Sequence, residues 1–164
     1  MQFDRMDRKI LALMQKNGRI SNLELAEKTA LSPSPCSRRV KRLEECGVIS
    51  SFVARLNPEA LDLKLMVMIQ ISLDRHTPER FEYFEAQISK LNEVMECHLI
   101  AGQSADYLLK VIVPDMECYQ QFLLGKLTCI DGVTGVHSSF VLRKVIDSTA
   151  LPLAHLNEHD DINF

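Results

Sequence analysis

The sequence predicts an α+β chain in two parts, three short helices followed by an alternation of strands and helices. Two observations predict it. Up to about residue 50 the apolar residues recur at helical spacing, and beyond Asn57-Pro58 they alternate as in strands. The charge divides at nearly the same place. Residues 1–56 hold 11 Lys and Arg against 6 Asp and Glu, whereas residues 57–164 hold 8 against 16. A net charge of −3 therefore conceals a basic first part and an acidic second part, which suits them to different partners.

The helices come first. In FDRMDRKILALMQKNG, Met6, Ile10, Leu13 and Met14 share one face, with Asp4 placed to cap the first turn and Gly18 to stop the last. SNLELAEKTA opens on Ser21-x-x-Glu24, a capping-box pattern, and leads through Leu23, Leu25 and Ala26 to an end near Lys28. Thr29, Ala30 and Leu31 leave room only for a tight connection. LSPSPCSRRVKRLEECGVI then reads as a third helix ending at about Cys46, before Gly47. Its prolines suit a first turn, where the amides have no helical partner. Either Ser32 caps with Pro33 first, or Ser34 caps with Pro35 first, and the sequence leaves both open. At ~100° per residue, Cys36, Val40 and Leu43 face inward. Ser34, Arg38, Lys41, Arg42 and Glu45 face outward, with Ser37 and Arg39 on the flanks.

Helix, short helix, tight turn and basic helix is the plan of a helix-turn-helix whose last helix enters the DNA major groove. VISSFVARLNPEALDL after Gly47 reads as two short strands around Ser50-Ser51, the wing of a winged helix, continuing into a linker. A solvated basic face on a three-helix bundle is the plain alternative. On the DNA reading, Arg38, Lys41 and Arg42 would contact bases or phosphates, and Ser34 and Ser37 would lie near the backbone. Arg39 would contact phosphate or form a salt bridge that packs the helix.

The second part begins with LMVMIQISL, which sets Leu65, Val67, Ile69, Ile71 and Leu73 on one side of a strand. PERFEYFEAQISKL is an amphipathic helix presenting Phe81, Phe84, Ile88 and Leu91. Strands recur at EVMECHLIA and YLLKVIV, then a helix at DMECYQQFLLGKL and a last strand at VHSSFVLRKV. Strand–helix–strand twice over is the ferredoxin-like βαββαβ plan, with both helices on one face of an antiparallel sheet. Yet Leu108 and Ile112 oppose Leu109, Val111 and Val113, so the uncovered face is apolar too and calls for a second subunit. The expected fold class is thus α+β, with a winged helix-turn-helix domain over residues 1–50 and a strand or linker over 51–63. A ferredoxin-like domain follows over 64–150, and a tail over 151–164.

Other chemistry finds little support. The five cysteines, Cys36, Cys46, Cys97, Cys118 and Cys129, contain no C-x-x-C pair and read as reduced core residues. His155-Leu156-Asn157-Glu158-His159 matches an inverted zinc-protease pattern, but it lies within ten residues of the C-terminus with no cavity-forming chain after it. His76, His98 and His137 stand isolated and receive no role. No acid–base pair, nucleophile, metal set or phosphate loop is recognisable, so neither an enzyme nor a cofactor is expected. No apolar run is long enough to span a membrane, and MQFDRMDRKI is too charged for a signal peptide, which points to the cytoplasm.

Together the two halves resemble the Lrp/AsnC, or feast/famine, family of transcription regulators over nearly the whole length. The resemblance rests on DRMDRKIL, on NGRISNxELA leading into LSPSPCSRRVKRLEECGVI, on ARLNPEALDL, on the Asp106-Tyr107-Leu108-Leu109 strand start, and on SSFVLRKV with TALPL. It implies a cytoplasmic prokaryotic regulator that binds double-stranded DNA and senses an amino acid with its C-terminal domain. It also implies a homodimer, assembled into an octamer or another dimer multiple. Effectors of such proteins bind between dimers near the loop before the Asp-Tyr pair. Here that loop is Gly102, Gln103, Ser104, Ala105 and Asp106, with Ser138 and Ser139 as neighbours. The family pattern has two residues between the glycine and the Asp-Tyr pair, whereas this chain has three. Asp106 would pair with an effector's ammonium while turn amides take its carboxylate, or would merely close a turn hydrogen bond. An architectural DNA-wrapping protein with no effector is the alternative the longer loop leaves open.

Overall fold

The computed structural model describes residues 3–102 and 105–157. The chain divides into two compact units, Met1–Arg55 with Ile146–Phe164, and Leu56–Val145.

In the first unit, α1 (Arg5–Lys16) starts on a reciprocal cap. The Asp4 carboxylate accepts from the Met6 and Asp7 amides, and Asp7 accepts from the Asp4 amide. The helix stops at Asn17, one residue before the expected glycine, where the backbone turns extended. Ser21 and Glu24 cap α2 (Asn22–Thr29) as their spacing predicts. For α3 (Pro33–Glu45) the cap is Ser32, with Pro33 as the first helical residue. Between α2 and α3 the chain reverses at Ala30, which is left-handed at φ 58 and ψ 38. The Ala30 and Leu31 amides there donate to the Glu27 and Ala26 carbonyls, closing the turn. Ile10, Leu11, Leu25, Ala26, Cys36 and Leu43 form the buried core.

Two expectations fail here. No strand forms between residues 50 and 57, so the two short strands expected for the wing are absent. Ser50-Ser51 lacks the glycine or asparagine that a tight hairpin needs, and Phe52, Val53 and Leu56 stay exposed. Of the five cysteines only Cys36 is buried; Cys46, Cys97 and Cys129 are exposed, Cys118 is intermediate, and all are free. Apolar neighbours in sequence do not place a residue on the inward face: Cys46 caps the end of α3 and Cys97 lies on an outer strand.

The C-terminal segment belongs to this first unit. Arg55 pairs with Asp147 at 2.7 Å, Gln15 brackets the Leu151 backbone, and Arg8 donates to the Leu156 carbonyl. Leu153 packs on the helical core.

The second unit is a four-stranded antiparallel sheet with two helices. In chain order it runs β1 (Leu65–Leu73), α4 (Pro78–Ile88), β2 (Val94–Leu99), β3 (Tyr107–Val113), α5 (Met116–Gly125) and β4 (Val133–Phe140). The strand order β2-β3-β1-β4 is that of the ferredoxin-like plan. Alternation buries Val67, Ile69, Ile71 and Leu73 against Tyr107, Leu109, Val111 and Val113, with Phe84, Ile88, Tyr119 and Phe122 supplied by the helices. The opposite face presents Met66, Met68 and Gln70 beside Ile112, Lys110 and Leu108, all half-buried.

Ala30 occupies a conformation that disfavours any Cβ. Ala30→Gly is therefore expected to stabilise the first unit by ~0.5–1 kcal/mol, read from a urea melt. An unchanged or lower midpoint would mean the turn stores no such strain.

Candidate nucleic-acid interface and effector loop

Fully buried Cys36 and Leu43 fix which way α3 faces. Ser34, Ser37, Arg38, Lys41 and Arg42 are exposed, and Arg39 is half-buried. At the helix start, the Asn22 side chain donates to the Pro33 carbonyl at 2.9 Å and ties α2 to α3.

The cations are not equivalent, because of one residue the sequence reading passed over. Asp7 on α1 is 1% exposed. Its Oδ1 accepts from Arg39 Nη1 at 2.8 Å and its Oδ2 accepts from Arg42 Nη2. Arg39 also reaches Asp4 at 2.6 Å. A buried carboxylate needs such partners, and here both come from the helix that must be positioned. The salt bridges are one of the two roles expected of Arg39. Arg42 keeps half its side chain exposed while one nitrogen is engaged. Lys41 lies 3.7 Å from Glu45, an exposed pair of little consequence. Among the described residues Arg38 has no ion-pair partner and stays exposed. Electrostatics follow the geometry. Burial works to raise the Asp4 pKa, but the Asp7 amide and the Arg39 guanidinium outweigh it and hold it below the ordinary value. Arg39 is pushed upward, by Asp7 first and Asp4 second.

The second candidate site is the connection between β2 and β3. Its fixed point is Asp106. The Asp106 amide donates to the Ile71 carbonyl at 2.7 Å, and its carbonyl accepts from Ile100 at 2.8 Å. Its Oδ2 accepts from the Leu73 amide at 2.7 Å, and its Oδ1 lies 2.7 Å from His76 Nε2. The carboxylate therefore closes a backbone hydrogen bond at the end of β1. Gly102 is left-handed at φ 100 and Ala105 is buried. Gln103 and Ser104 lie outside the described residues, as do Glu158 and His159 of the C-terminal histidine pattern. Among the described residues no group of His, Cys, Asp or Glu could hold a metal.

The two serines expected beside this loop stand apart from each other. Ser138 and Ser139 oppose Ile69 and Met68, roughly 7–10 Å along β1 from the Ile71 position that meets Asp106. They point to opposite faces of the sheet, and the Ser138 hydroxyl meets the Tyr119 hydroxyl. The sequence reading left His76 without a role because nothing local marks it; its partner is 30 residues away. Near the loop an open cleft of about 430 Å³ separates α4 from β2, with a mixed lining that includes Glu85, Ile88, Leu91, Met95, Glu96 and Tyr107.

Comparison with known proteins follows the same division. Residues 3–50 match a winged helix-turn-helix DNA-binding model, and residues 66–151 match the Lrp/AsnC ligand binding domain. The chain is 47% identical over 148 residues to the leucine-responsive regulatory protein of Salmonella typhimurium, covering 90% of each. It is 46% identical over the same span to that of Escherichia coli K12, again covering 90% of each. Among solved structures, a transcriptional regulator of Neisseria meningitidis in complex with L-Met superposes with a TM-score of 0.90 at 42% identity. The match covers 94% of this chain and 99% of that one. An AsnC family regulator of Agrobacterium tumefaciens superposes at 0.88 with 36% identity, covering 93% and 99%.

Removing the Asp7 carboxylate frees two arginines that can turn to water, so Asp7→Ala is expected to destabilise the first unit by ~1–3 kcal/mol in a urea melt. A loss below ~0.5 kcal/mol would show that the clasp is not structural. Asp4, with its lowered pKa, adds stability that is present above the ordinary carboxylate pKa and lost as pH falls through the lower folded value. The stability difference between the native chain and Asp4→Asn is accordingly expected to vanish in acid and to persist at neutral pH.

Proposed function

The chain belongs to the Lrp/AsnC family of transcription regulators, and from that premise we propose that it binds specific DNA sites through α3 and answers to an apolar amino acid near the Gly102–Asp106 loop. It is a DNA-binding transcriptional regulator whose second half is an Lrp/AsnC ligand-binding domain. The observation that carries the mode of binding is the outward face of α3, where Arg38 is exposed and unpaired among the described residues and Lys41 is only weakly engaged. In this reading Arg38 and Lys41 contact bases or phosphates directly. Arg42 reaches phosphate with the part of its guanidinium that Asp7 leaves free. Ser34 and Ser37, short and exposed, let the backbone approach, and Arg39 holds the helix in place.

The domain reading assigns DNA contact to residues 1–50 and effector sensing with oligomerisation to 64–150. Support for a homodimer is the helix-free sheet face around Met66, Met68, Leu108 and Ile112. Two recognition helices would then enter successive major grooves of a roughly palindromic site. The dimers would assemble further, into an octamer or another multiple. For the effector, support comes from the Neisseria regulator solved with L-Met and from the leucine-responsive relatives. The only small molecule this function needs is that effector, and the action is binding without turnover. Among the described residues no helix is long and apolar enough to cross a membrane, and a protein that acts on DNA works in the cytoplasm of a prokaryotic cell.

Titration of a matched operator fragment tests the DNA reading. Arg38→Ala is expected to weaken specific binding by ~1–3 kcal/mol. If six to ten phosphates are engaged per dimer, affinity falls by roughly 10³–10⁵ between about 50 and 200 mM salt. A flat salt dependence would refute the interface. Equal affinity for matched and scrambled fragments would favour an architectural protein instead.

A further inference from the structure

His76 stands in the connection between β1 and α4. Its ring stacks on Phe81 with centroids 6.2 Å apart, and its side chain is 68% exposed. Nε2 faces Asp106 Oδ1 at 2.7 Å, while Asp106 itself is only 17% exposed and has its other oxygen on the Leu73 amide. Both oxygens of Asp106 are thus occupied, which leaves it poorly placed to receive an ammonium. The exposed imidazole keeps one nitrogen open at this rim. Among the described residues Nδ1 has no hydrogen-bond partner.

An imidazole that meets a carboxylate at one nitrogen can meet a second carboxylate at the other only when both nitrogens carry protons. The ring then bridges two anions as a cation. We propose that His76 is an effector-contacting residue that takes the α-carboxylate of the amino acid at Nδ1, with Asp106 orienting the ring and a proton taken up from solvent on binding. The proposal rests on the amino-acid-sensing reading above and names the group that recognises the ligand's acid end.

The other charges around this rim have partners, Arg75 the most loosely held. Arg80 on α4 holds Asp74 at 2.9 Å and Asp131 at 2.9 Å. Arg75, beside His76, lies 4.0 Å from Asp74. On the Tyr107 side, Glu85 accepts from the Tyr107 hydroxyl at 2.7 Å. Histidine is the side chain whose charge ordinarily changes between about pH 5 and 8, whereas the ligand's own acid and amine keep their charges across most of that span. The bound state holds more protons, so affinity rises as pH falls.

Isothermal titration of the full chain with L-methionine, and with L-leucine as second probe, tests this at fixed ionic strength and about pH 6 and 8. Two buffers of different ionisation enthalpy count the protons. For the native chain we expect net proton uptake and binding ~10-fold weaker at the higher pH, the equivalent of one unit of pKa shift. His76→Ala should bind weakly at both values, and His76→Gln should bind without pH dependence. L-Methioninamide, which lacks the carboxylate, should bind the native chain weakly at about pH 6 and be indifferent to His76→Ala. Equal L-methionine affinity and equal pH dependence in native and His76→Ala would overturn the role of His76 and leave amino-acid sensing standing. No binding of either amino acid to the native chain would overturn both.

Discussion

The first unit turns on a carboxylate that water barely reaches. Asp7 lies in the first turn of α1, where an acid is favoured by the helix dipole and completes the cap with Asp4. Buried there, it must find positive charge, and it finds it on α3. The same two oxygens therefore fix how α3 lies on α1 and decide which of its cations are left for a ligand. Apolar packing by Cys36 and Leu43 alone would orient the helix but not select among its arginines. On the proposed DNA reading the clasp would separate holding, by Arg39, from reaching, by Arg38 and Lys41, with Arg42 divided between them.

The second unit repeats the device with another acid. Asp106 joins the ends of three strands, through its amide to Ile71 of β1, its carbonyl to Ile100 just past β2, and its carboxylate to Leu73. An anchor of this kind lets a surface loop vary in length without moving the strands beneath it, because loop closure costs little once the ends are fixed. The strand register at Tyr107 matches the burial pattern without a slip. On the proposed mechanism the Asp106–His76 pair supplies the charge that meets the ligand.

What could be read from the sequence was what depends on near neighbours. The Ser21–Glu24 cap, the inward set of α3 and the alternation in β1 and β3 all arise within one or two turns or one strand, and the structure has them. The choice between Ser32 and Ser34 did not follow from local rules, because both satisfy them. The Asp7 clasp spans 32 and 35 residues, and the His76–Asp106 contact spans 30, so neither leaves a periodic trace. Arg42 was assigned to DNA because its helical angle points outward; helical angle cannot tell that a neighbouring helix brings a buried acid to meet it. The cysteines misled for a related reason, since apolar sequence neighbours say nothing about the face a residue occupies.

The helix-free sheet face also shows why association is a reasonable use of it. Met66, Met68, Leu108 and Ile112 offer apolar surface, but Lys110 stands among them and would be costly to bury alone. It is not alone: Glu96, its cross-strand neighbour on β2, accepts from its ammonium at 2.6 Å, and His98 lies 3.3 Å from the same carboxylate. Lys110 first and His98 second hold the Glu96 pKa below its usual value, so the acid meets the base as an anion at neutral pH. The pair is satisfied within the single chain. Covering the face then removes apolar area from water without stranding a charge, which is the condition under which a mixed surface favours a partner over solvent.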